Sequence, residues 1–159
     1  MKNLRTSVLC ACMILFSLCT VAQDQKIPIN EQDKNKPHLF DHLPAKISFD
    51  PASFIGLGNK QTGSIISTDL SADAKTTVMF EGKLVSSGSN ENGNTQSIVV
   101  KSTNYPGATF SMSKVIKSDG TTTYSGRLMS FKHGDLYILQ QTNGQYELIK
   151  KNFYDLVNE

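Results

Sequence analysis

Three histidines, His38, His42 and His133, are the side chains of this chain best suited to proton transfer or metal binding. His133 lies in the run "SFKHGD", residues 130–135, close to Ser130 and Asp135. These types could act as nucleophile, general base and orienting carboxylate. A Ser-His-Asp arrangement, however, needs side-chain geometry that is usually built from distant segments, and here all three residues are local. Gly134 beside His133 fits a tight turn instead, with Asp135 free to bond nearby backbone amides. No G-x-S-x-G elbow occurs anywhere in the chain. The expectation for this corner is a turn that feeds a hairpin.

A second group lies in "HLFDH", residues 38–42. His38 and His42 are four apart, with Asp41 beside them. Together with a distant His133 they could make a zinc site of imidazole and carboxylate ligands. Pro44 disfavours helix at Leu43, and no H-E-x-x-H run supplies a catalytic base. A surface start to the folded region is the plainer reading. The run "GSNENGN", residues 88–94, has oxygen ligands suited to calcium but Glu91 as its only carboxylate. It reads as a hairpin loop able to serve in recognition. Tyr105, Tyr124, Tyr137, Tyr146 and Tyr154 could line a sugar or peptide platform. Half-buried packing is the default for such residues, and the chain has no tryptophan for stacking.

The ends of the chain bound these readings. Residues 1–22 have the parts of a secretory leader: Lys2 and Arg5, an apolar run from Val8 to Leu18, and small Thr20 and Ala22 before a cut. The apolar run falls short of the roughly 20 residues a membrane-spanning helix needs, and lipidation at Cys12 or Cys19 fits poorly. Export to the periplasm, cell surface or medium is therefore expected. Cys10, Cys12 and Cys19 all fall within the leader. Past it there is no disulfide, thiol nucleophile or thiolate metal site. Removing Lys2 and Arg5 from 16 basic residues leaves 14 against 14 acidic ones, a net charge of zero. That argues against a nucleic-acid partner, which calls for a basic stripe.

Residues 23–37, "QDQKIPINEQDKNKP", are too polar to offset the entropy of ordering and read as a tether. Residues 38–159 read as one β-rich domain. Residues 46–49 form a short strand. Asp50 and Pro51 read as N-cap and first position of a helix over 51–55, stopped by Gly56 and Gly58. Strands follow at 64–68, 76–87 and 96–103, with Gly82 marking a bulge or a close approach. "YPGA", residues 105–108, fits a type II turn. Asp119-Gly120 suggests a two-residue hairpin turn that sets Phe110 opposite Met129 and Val115 opposite Tyr124. Asn143-Gly144 suggests another, setting Leu139 opposite Leu148 and Ile138 opposite Ile149. Phe153, Leu156 and Val157 have the spacing of a final short helix.

The fold expected is mainly β: an antiparallel meander forming a small sandwich or partly closed barrel, with one or two short helices. The function expected is that of an exported, non-enzymatic domain that binds a protein partner or ligand through loops or a sheet edge, without a cofactor. Two alternatives stand beside it. One is an inhibitor or assembly partner of a secreted enzyme. The other is a small hydrolase or metal-dependent enzyme using His38, His42 and His133.

Overall fold

Asn143 and Gly144 adopt positive φ values of 51° and 82°, the two left-handed residues of a two-residue type I′ hairpin turn. The register follows: Thr142 pairs with Gln145, Leu139 with Leu148 and Ile138 with Ile149, as the sequence leads one to expect. A computed structural model of the chain describes residues 36–73 and 76–154. The expected leader, most of the expected tether, and Leu156 and Val157 of the expected final helix lie outside the described residues. Phe153 and Tyr154 form a 3-10 turn.

Among the described residues eight strands follow one another: β1 (Lys46–Ser48), β2 (Ile65–Asp73), β3 (Thr76–Ser89), β4 (Thr95–Ser102), β5 (Thr109–Ile116), β6 (Thr122–Ser130), β7 (Asp135–Thr142) and β8 (Gln145–Asn152). Every neighbouring pair is antiparallel, and β1 pairs with both β2 and β8, closing a barrel. Two seams are thin. Among the described residues β1 meets β2 only at Ser48–Ser71, and β6 meets β7 over four residue pairs. Among the described residues no helix is long and apolar enough to cross a membrane.

One helix, α1 (Pro51–Gly56), follows β1 and continues into a 3-10 turn over Leu57–Asn59. Asp50 caps it by accepting from Ala52 N and the Ser53 hydroxyl. These bonds, that of Ser53 foremost, hold the Asp50 carboxyl below its usual range. Proline at the first helical position completes the expected signal.

Aliphatic residues make up most of the core, and a cluster of aromatic rings runs through it. Phe110 meets Phe54 at 4.3 Å, Phe49 at 5.3 Å and Phe80 at 5.6 Å between ring centroids. Phe54 comes from α1, which follows the Ser48 end of β1. Residues 38–45 precede the Lys46 end, so the two segments cover opposite ends of the ring. Phe40 enters from that side and packs against Tyr105 and Tyr137, at 5.8 and 5.7 Å. These rings occupy part of the interior.

Gly82 is a close approach, as its place in β3 suggests. A Cβ there would lie 2.6 Å from Val100 Cγ1 and 2.7 Å from the Lys101 carbonyl. Gly107 has a φ of 91° and Ala108 N donates to Tyr105 O, which fits the type II turn.

The β5–β6 hairpin departs from expectation by one residue. Phe110 pairs with Leu128, not Met129, and Val115 with Thr123, not Tyr124. Lys117 N donates to Thr121 O, Thr121 N donates to Asp119 Oδ1, and Gly120 sits at a φ of 82°. This is a three-residue loop with glycine in the left-handed position. The extra residue moves Leu128 inward and Met129 outward, since side chains alternate along a strand.

Candidate functional site

The corner at His133 is a turn. Residues 131–134 link β6 to β7, with Gly134 at a φ of 65°. Ser130 is fully buried, and its Oγ lies 2.8 Å from His133 Nδ1. Asp135, also buried, faces elsewhere. One of its oxygens lies 3.1 Å from His38 Nδ1, and the other accepts from Leu39 N. Ser130, His133 and Asp135 therefore do not line up as nucleophile, base and orienter. The expectation that Asp135 bonds local amides is corrected: its amide partner lies 96 positions away.

Asp135 thus fastens the segment before β1 to the start of β7. Other bonds continue the stitching. Tyr137 Oη donates to Pro44 O at 2.6 Å, Lys150 Nζ to Phe40 O at 2.8 Å, and Lys150 N to Ala45 O. Burial, with Asp135 and then Tyr105 nearby, pushes the Tyr137 hydroxyl up to about 12. Burial also raises Tyr105.

The three histidines occupy separate places. His38 bonds Asp135, His42 stacks on Tyr105 at 6.1 Å, and His133 bonds Ser130. Among the described residues, the ligand-type atoms that converge are those of His38, Asp41 and Asp135, within 4.8 Å of one another. His42 and His133 are not among them, so the three-histidine alternative is not assembled. The Lys150 ammonium lies 3.5 Å from Asp41 and already supplies positive charge there. The grouping reads as the anchor of the first segment.

The loop between β3 and β4 is self-contained. Thr95 N donates to Asn90 Oδ1 and Gly93 N to Asn90 O. Among the tyrosines, Tyr137 and Tyr146 lie on the interior face of the last hairpin, and Tyr124 meets Tyr146 edge-on at 5.4 Å. Tyr124 and Tyr146 are half-buried as expected, whereas Tyr137 is fully buried, and the three do not form an exposed platform.

The feature that sequence reasoning passed over lies between β6 and β7. The two strands pair from Ser130–Asp135 to Arg127–Ile138 and then part. Beyond that point residues 122–126 pair only with β5, and residues 139–142 only with β8. Gly126 stands at the fork. A Cβ there would lie 3.0 Å from both Met112 Cγ and Ser111 O, so glycine lets β6 press onto β5 as it leaves β7. A glycine inside a strand was the one available signal.

An open groove of about 430 Å³ leads into the fork across the outer face of the sheet. Its floor is short: Ser97, Ser113 and Ser125 lie opposite one another on β4, β5 and β6. The next row is Val99, Ser111, Arg127 and Ile138. A second hollow of about 240 Å³ shares Ser111 and Arg127 and runs on to Met129 and Phe131, an exposed ring. Two facing strand edges beside a shallow groove can accept the main chain of an extended segment and the side chains that flank it. Comparison of the chain with protein families, with characterised proteins and with solved structures yields no match.

Proposed function

We infer that this protein is an exported binding module that takes up an extended polypeptide segment in the cleft between β6 and β7. The observation that carries this reading is the fork: the strands have nine and eight residues but share four pairs, leaving 122–126 and 139–142 each paired on one side only. An unpaired edge is a template for another strand. Main-chain bonds supply affinity there, and the groove selects side chains. Each net hydrogen bond contributes about 0.5–1.5 kcal/mol, so a segment of a few residues binds without any catalytic group. The aromatic rings within the barrel favour a surface ligand over one held inside. Support for export comes from the leader pattern at residues 1–22. Directed at a secreted enzyme, the same edges would serve an inhibitor or assembly partner.

Selection of displayed short random peptides on the full chain tests the reading. The expected outcome is a bound pool that protects the amides of residues 122–126 and 139–142 from hydrogen exchange. A pool that binds while those amides keep exchanging, or no pool at all, overturns it.

A further inference from the structure

We propose that the cleft recognises a carboxylate on its occupant, and that Arg127 is the residue that selects it. This rests on the reading of the cleft as a strand-binding site and adds the chemistry of the ligand. Arg127 and Ile138 form the last pair before the strands part. The Arg127 side chain therefore stands at the closed end, where one end of an inserted segment arrives. It is exposed, and no ion pair engages it among the described residues.

The outward positions of β4, β5, β6 and β7 carry two cations, Lys101 and Arg127, and no carboxylate, while on β8 the outward carboxylate Glu147 lies across from Gln140. At the closed end, beside Arg127, a basic group meets repulsion, and a neutral one leaves the guanidinium unused. A carboxylate can accept two parallel bonds from the planar fork of an arginine. Ser111 lies directly across from Arg127, and Ser125 is two residues away on the same face, so hydroxyl donors flank the point of contact. The carboxylate has two sources: an Asp or Glu side chain, or the end of a chain.

The test uses the full chain and displayed random peptides in two formats, one with a free C-terminus and one embedded. Enrichment of Asp and Glu in the embedded format marks a side-chain source. Enrichment confined to the free format marks a terminal one. Either supports the proposal if Arg127→Glu weakens the selected peptides by about tenfold or more, the scale of a lost charged hydrogen bond. Lys101→Glu, on the same outer face but away from the fork, should leave binding nearly unchanged. Ser125→Trp fills the groove at an exposed position and should abolish binding, while circular dichroism and melting stay as in the parent. A pool abolished by Ser125→Trp, yet without acidic or terminal preference or indifferent to Arg127→Glu, overturns the role of Arg127 and leaves strand binding standing. A pool indifferent to Ser125→Trp overturns both.

Discussion

At the scale of single residues, the chain uses its polar groups to hold segments together. Asp135 and Tyr137 are neighbours on β7 that both reach residues before β1, and their partners could not be read from local sequence. Tyr137 makes a pH prediction. Burial raises its folded value from 10.0 to about 12, so the native state favours the neutral phenol. The resulting stability is complete below the unfolded value near 10 and is lost as pH climbs from there through 12. Phenolate absorbance of the folded protein should show a late step near pH 12 that is missing in Tyr137→Phe. Tyr137→Phe should also flatten the decline in stability over that window. If the parent and Tyr137→Phe titrate alike, the assignment is wrong.

At the scale of elements, hairpins are set by turn geometry and by close backbone contacts. The Asn143-Gly144 turn was legible because two left-handed residues in succession specify a two-residue loop. The Asp119-Gly120 turn was not. The same glycine suits a three-residue loop, and with Leu128 and Met129 both apolar the pattern accepts either register. Gly82 offers a test of packing. Gly82→Ala drives a methyl into Val100 and the Lys101 backbone and should cost about 1–3 kcal/mol. Gly56→Ala, at a helical φ of −58° with nothing within 4 Å, should be neutral or stabilise by about 0.4–1 kcal/mol. Chemical denaturation of the two variants checks the contrast; equal effects would refute the packing account.

For the whole molecule, closure depends on what fills the ring. Phe110 lies under Phe49, Phe54 and Phe80, so α1 contributes to the core as well as capping it. Phe54 is fully buried, and Phe54→Ala should lower stability by about 3–5 kcal/mol, measured by denaturant unfolding. A loss below about 1 kcal/mol would mean that the helix packs loosely and that the strands alone close the barrel.

The sequence by itself determined the local features: the alternation of β3, the cap at Asp50, the turns at Pro106-Gly107 and Asn143-Gly144, and the turn at Gly134. Each follows from dihedral preference or a period of two, which act over a few residues. Only the tertiary structure decided that the meander closes as a barrel, that Asp135 bonds His38 rather than His133, and that β6 leaves β7 at Gly126. Those outcomes depend on which distant surfaces pack best, and no short stretch of chain encodes its remote neighbours. The candidate cleft belongs to this second group. A strand edge becomes a site only when the partner that would have covered it has been drawn elsewhere.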